Sequence, residues 1–169
     1  MGPAKEQARD IPEGFAVAVV REDGKWRCAP MGRKALSSLT DAETELREIR
    51  SAGAVFGLLN IDDEFFIIVR PAPSGTRLFL SDATAALDYD IAEQALEKLD
   101  ADIDFDELDD CDPFEEGDLG VLSDIGLPDD VLSVILDDPA LYPEEQLGQI
   151  AATMGYGDEF SAVLERLNR

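Results

Sequence analysis

The chain has 169 residues and a mass of 18.4 kDa, room for one ordinary domain with a small satellite, and 45% hydrophobic residues suffice to build a core. With 38 acidic residues against 14 basic ones the net charge is -24, which excludes a phosphate-tracking surface, because direct nucleic-acid binding needs clustered Lys and Arg. No histidine is present, so His-based acid–base catalysis, Ser-His-Asp and Cys-His pairs and His-ligated metals are excluded together.

Residues 1–12 are polar and read as a disordered lead-in. They lack the apolar stretch of a signal peptide, and no apolar run approaches the roughly 20 residues of a membrane-spanning helix. A cytoplasmic protein without membrane attachment is expected. Cys28 and Cys111 lie far apart and form no CxxC pair, so two free thiols are expected.

Phe15 to Arg21 is apolar and β-branched, which predicts a strand. Asp23-Gly24 is the signal of a two-residue hairpin turn, with Trp26 to Met31 returning. Thr40-Asp41-Ala42-Glu43 matches a capping box, and Leu39, Ala42, Leu46 and Ile49 recur at helical spacing. An amphipathic helix over 40–52, stopped at Gly53, follows.

Three further strands are predicted at Ala54–Asn60, Glu64–Arg70 and Thr76–Ser81. The unbroken run Phe65 to Val69 suits a central strand covered on both faces. From Asp82, a cap for the first turn, the pattern is helical again through Ala83, Ala86 and Leu87, with Asp90 able to restart it after Tyr89, and then through Ile91, Ala95, Leu96 and Leu99. The expected fold of residues 13–99 is α+β. It has a mostly antiparallel five-stranded sheet and two helices, in the order β-β-α-β-β-β-α.

The composition then changes. Residues 100–118 hold eleven acidic residues among nineteen and no basic one. From Leu99 to Glu165 there is no Lys or Arg at all, and this stretch carries 21 of the 38 acidic residues. Residues 119–169 resume helical patterns. Pro128 and Pro143 sit at first-turn positions, Gly155-Tyr156-Gly157 ends one helix, and Asp158 caps another. A small all-helical module of this size is marginal alone and must dock on the α+β domain or on a partner.

Read plainly, the acidic segment is a solvated, self-repelling linker. It could also serve internally, by pinning the helical module to the sheet domain. Its sharper reading is a binding arm for a basic protein. Asp102, Asp104, Asp106, Asp109 and Asp110 would steer by charge, and the interleaved Phe105, Leu108 and Phe114 would hold by burial. Asp100, Asp102 and Asp104 imitate positions 1, 3 and 5 of a calcium loop. Phe105 replaces its Gly and Cys111 its Glu, so no metal site is assigned. No catalytic residue and no cofactor is assigned either. The sequence contains neither GxxxxGK[ST] nor GxGxxG.

Leu78-Phe79-Leu80-Ser81-Asp82-Ala83-Thr84-Ala85-Ala86-Leu87, behind a β-rich part opening with Phe15-Ala16-Val17-Ala18-Val19, resembles the actinobacterial tRNA adenosine deaminase-associated protein family. The Asp-rich stretch, Asp124-Ile125-Gly126-Leu127-Pro128 and Gly155-Tyr156-Gly157-Asp158 are similar to that family as well, so the likeness covers about residues 14–167. The resemblance brings no catalytic motif. The deaminase holds zinc through an H-x-E and P-C-x-x-C pattern that this chain lacks, so the chain is not the deaminase itself. A non-enzymatic accessory protein is implied, whose acidic surface engages a basic partner such as the deaminase. Two readings compete with it. One is a nucleic-acid mimic that titrates other basic proteins; the other is an enzyme with a carboxylate-only or divalent-metal site.

Overall fold

The computed structural model describes residues 12–101 and 103–167. The lead-in expected at 1–12 therefore falls, apart from Pro12, outside the described residues. Strands β1 (Gly14–Glu22), β2 (Lys25–Pro30), β3 (Ala54–Ile61), β4 (Phe65–Ala72), β5 (Gly75–Leu80) and β6 (Glu116–Gly117) form one sheet in the order β2-β1-β3-β4-β5-β6, antiparallel throughout. The helices are α1 (Leu39–Arg47), α2 (Asp90–Lys98), α3 (Phe105–Leu108), α4 (Asp129–Leu136), α5 (Pro143–Met154) and α6 (Gly157–Leu167).

The class is α+β as the sequence predicts, but the counts differ. The sheet has six strands, not five. The sixth, β6, lies inside the acidic segment and pairs Gly117 with Phe79 and Glu116 with Leu80. Two residues among carboxylates carry no alternating signal, so this strand is invisible to periodicity. A second addition is α3, a single turn in the same segment. The helical pattern after Asp82 divides where a restart at Asp90 is expected: Ala83–Leu87 is a 3-10 turn, and α2 starts at Asp90.

Local chemistry explains most element ends. Asp23 and Gly24 take φ of 56° and 75°, the left-handed pair that a two-residue hairpin requires. Asp82 caps its 3-10 turn by accepting from the Thr84 amide at 2.9 Å. The cap of α1 is Ser38, whose hydroxyl accepts from the Asp41 amide at 3.2 Å, rather than Thr40. This helix ends at Arg47, five residues earlier than its apolar spacing suggests. Gly53 serves a different purpose from stopping it, since a Cβ there would lie 1.8 Å from the Arg21 carbonyl oxygen. The loop before β3 crosses the end of β1 too closely for any side chain. At the far end, Gly155 closes α5 in the left-handed conformation, and α6 begins at Gly157 with Asp158 inside its first turn.

Side chains alternate cleanly across the pleat. Ala16, Ala18, Leu59, Ile61, Phe65, Ile67, Val69, Leu78 and Leu80 face α1 and α2 in one core. Val17, Val19, Phe56, Leu58, Phe66, Ile68 and Phe79 face the other way, where Leu132, Ile135, Leu147, Ile150, Tyr156, Phe160 and Val163 of the C-terminal helices cover them. The sheet is thus the middle of three layers, and the C-terminal helices dock on its second face. Between α2 and α4 the acidic segment crosses from one face to the other around the outer edge of β5.

Candidate interaction surface

The acidic segment is pinned to the body of the protein by its own apolar residues. Asp104 caps α3, its carboxylate accepting from the Asp106 amide at 2.9 Å. Phe105 opens that turn, and Leu108 closes it with its side chain 2% exposed in the first core. Ile103 and Phe114 are half-buried against the same core, and the Phe114 carbonyl accepts from the Ala83 amide at 2.7 Å. Asp104, Asp106, Asp109 and Asp110 point to solvent. Asp102 lies outside the described residues. The segment thus presents carboxylates outward, while Leu108 and Phe114 face the chain's own core.

Where the segment leaves the edge, two arginines of the second face hold it. Arg77 Nε donates to Asp118 Oδ2 at 2.8 Å, and its Nη2 donates to the Gly120 carbonyl at 2.8 Å. Arg70 Nη1 donates to the Val121 carbonyl at 2.9 Å and grips Asp124 through both carboxylate oxygens. That bidentate bond holds the Asp124 carboxyl below the usual carboxylate range. Two of the protein's few cations are thereby neutralised by the segment and its exit.

A groove of about 330 Å³ opens between β1, the β3–β4 turn and the C-terminal layer. Carboxylates of Glu13, Asp62, Asp63 and Glu144 line it, together with Arg33. Its Asp residues are occupied with holding loops. Asp62 accepts from the Glu13 amide at 3.1 Å and from the Tyr89 hydroxyl at 2.7 Å. Burial, reinforced by this bond, raises the Tyr89 pKa. Asp63 Oδ1 accepts from Asn60 Nδ2 at 3.2 Å and from the Glu144 amide at 3.0 Å. Asn60, itself 2% exposed, also accepts the Asp63 amide. These two carboxylates tie the β3–β4 turn to Glu13, Tyr89 and Glu144. Among the described residues no group of three or more His, Cys, Asp or Glu side chains is arranged to hold a metal ion.

At the opposite edge, Cys28 of β2 lies half-buried beneath α6, and the Arg166 guanidinium reaches its carbonyl at 3.5 Å. Burial, with the nearby Glu159 carboxylate, pushes the Cys28 thiol up to about 12 against the opposing pull of Arg166. Cys111 is exposed, and both cysteines are free. Iodoacetamide at pH 8 should therefore modify Cys111 well before Cys28, because the thiolate is the nucleophile. Peptide mass mapping of a time course checks the order, and equal rates would contradict it.

Two exposed apolar residues escape sequence reasoning. Val134 on α4 is 70% exposed, and Tyr142 at the head of α5 is 66% exposed. Val134 lies within Val131-Leu132-Ser133-Val134-Ile135-Leu136, where four other residues are apolar, so only the helical phase, with Leu132 and Ile135 buried, reveals that it points outward.

No described helix is long and apolar enough to cross a membrane. No solved structure matches the chain. The chain is 72% identical over 162 residues to "Protein Rv3753c" of Mycobacterium tuberculosis (strain ATCC 25618 / H37Rv), an actinobacterium, covering 96% of this chain and 94% of that protein. Residues 14–157 match a family model described as Rv3753c-like tRNA adenosine deaminase-associated protein, a span that takes in the whole sheet, the acidic segment and α5. The chain belongs to this Rv3753c-like, tRNA adenosine deaminase-associated family.

Proposed function

We propose that this protein is a non-enzymatic accessory factor of the cytoplasmic tRNA adenosine deaminase and binds it through a negatively charged surface. The observation that carries the reading is charge segregation: residues 99–165 hold 21 carboxylates and no Lys or Arg. A tRNA-binding enzyme must present a basic groove, and a surface of this sign is complementary to it. The family's description names the deaminase association. Within this reading the α+β part, residues 13–99, is the scaffold. Residues 100–118 supply long-range attraction, and residues 119–169 supply further acidic surface. Competition with tRNA, or protection of the empty groove, is the expected effect.

A pull-down from the source organism's lysate at low and at high salt tests this, read by mass spectrometry. Enrichment of the deaminase at low salt, lost at high salt, is expected, because screening weakens exposed charge pairs. Capture of many unrelated basic proteins without preference would replace the reading with general nucleic-acid mimicry. Absence of the deaminase at both salts would reject it.

A further inference from the structure

The accessory reading leaves open where a basic partner is gripped rather than merely attracted. The acidic segment lacks a free apolar anchor in Leu108 and Phe114, since both pack on the chain's own core. The C-terminal layer differs. On α4 the residues facing the sheet are Leu132 and Ile135, with Val131 and Leu136 half-buried beside them. Val134 stands on the other side of the helix. Asp130, one turn before it, shares that outer face, Asp137 caps the end of the helix, and Asp138 follows just beyond it, all three exposed.

A tight turn carries this face to the next helix. The Ala140 amide donates to Asp138 Oδ1 at 3.0 Å, and the Leu141 amide donates to the Asp138 carbonyl at 3.3 Å. Leu141 packs inward and leaves Tyr142 outside. The Tyr142 amide is held by Glu145 Oε1 at 2.9 Å, and Glu144 and Glu145 are exposed beside the ring. Two large apolar side chains, each about two-thirds exposed, thus flank the turn between α4 and α5, where Asp137, Asp138, Glu144 and Glu145 are exposed.

The charge at the end of α4 is also placed against the helix. Asp137 and Asp138 stand at its C-terminus, where the macrodipole is negative and cations are favoured, and no basic residue lies in the last turn. Nothing within residues 99–165 supplies the missing cation. A second copy of this chain would bring the same carboxylates to the contact. A partner bearing Lys or Arg around large apolar side chains would satisfy the anchors, the carboxylates and the helix end together.

We infer that the outer face of α4 and the head of α5, centred on Val134, Asp137, Asp138 and Tyr142, are the docking site for a Lys/Arg-bearing amphipathic segment on the surface of the basic partner. This rests on the accessory reading above.

The test is titration of the isotope-labelled full chain with unlabelled tRNA adenosine deaminase at low salt, followed by amide NMR, with affinities for variants. Perturbation is expected to centre on residues 130–145. Val134→Ser and Tyr142→Ser are expected to weaken binding by about tenfold each, the scale of interface anchors. Their thermal unfolding should not fall, since both side chains are largely exposed and Ser is a competent cap at 142, the N-cap of α5. Asp137→Asn with Asp138→Asn should flatten the salt dependence, which the two apolar variants should retain. Deaminase binding that leaves residues 130–145 unperturbed, with full affinity in the Val134→Ser/Tyr142→Ser variant, overturns the docking site and leaves the accessory reading standing. Self-association of the wild type through this face, abolished in that variant, also overturns it, because a second copy then occupies the site. Failure of the wild type to bind the deaminase overturns both.

Discussion

Tyr156→Ala is expected to cost roughly 3–5 kcal/mol of stability, while Tyr156→Phe should cost nothing and add up to about 1 kcal/mol. Tyr156 is fully buried where α5 hands over to α6. Its ring lies 4.8 Å from Trp26 of β2, 6.1 Å from Phe56 of β3 and 6.3 Å from Phe160 of α6. One side chain therefore ties the C-terminal layer to two strands, and truncation leaves a cavity that three rigid rings cannot fill. The hydroxyl contributes nothing comparable. It is buried without a hydrogen-bond partner among the described residues, and burial raises its pKa, so it stays protonated. Removing it relieves a desolvated group and keeps the ring contacts. Urea unfolding followed by the fluorescence of Trp26, the sole tryptophan, measures both variants. A loss of 1 kcal/mol or more in the Phe variant would mean that the hydroxyl has a partner after all.

Much of the sheet is readable in the chain because its signals are local. Asp23-Gly24 specifies the first hairpin, and the unbroken Phe65 to Val69 run specifies a strand covered on both sides. That second property has a further consequence. Residues 13–99 supply helices for only one face, so the cover for Val17, Phe56, Leu58, Phe66 and Ile68 has to come from residues 119–169. The docking of the C-terminal helices is thus implied by counting covered faces, although no single motif announces it. The cap of α1 slips by two residues because Ser38 and Thr40 are both competent caps, and only the chain's exit from the preceding turn selects Ser38.

The direction of an isolated apolar residue is the part that sequence does not carry. Leu108 and Phe114, set among aspartates, suit a partner's surface and the chain's own core equally well; the structure turns them inward. Val134 suits a buried helix position and is turned outward. Leu108 sits on a one-turn helix and Phe114 in the loop before a two-residue strand, which add almost no periodic constraint, whereas Val134 is turned outward by its phase against buried Leu132 and Ile135. The division between the acidic segment and the α4–α5 face follows from these two inversions.

Neutralising Asp102, Asp104, Asp106, Asp109 and Asp110 together to Asn should slow association with the deaminase by about tenfold or more at low salt, and leave dissociation nearly unchanged. Exposed charges that form no tight contact act mainly on the diffusional approach, whereas desolvated anchors govern how long a complex lasts. Asp104, Asp106, Asp109 and Asp110 are exposed, while Leu108 and Phe114 pack on the first core, so these residues have charge to attract with and those two apolar side chains are already engaged. The five substitutions also lower the repulsion within a protein of net charge -24, so the variant should fold at least as well as the wild type. Stopped-flow association over a range of salt separates the two rates. At high salt the variant and the wild type should converge, because screening removes the advantage that the carboxylates confer. A variant that associates normally but dissociates faster would place the grip in the segment itself. A variant unchanged in both rates would remove the segment from recognition and leave it the plain task of carrying the chain around the edge of β5.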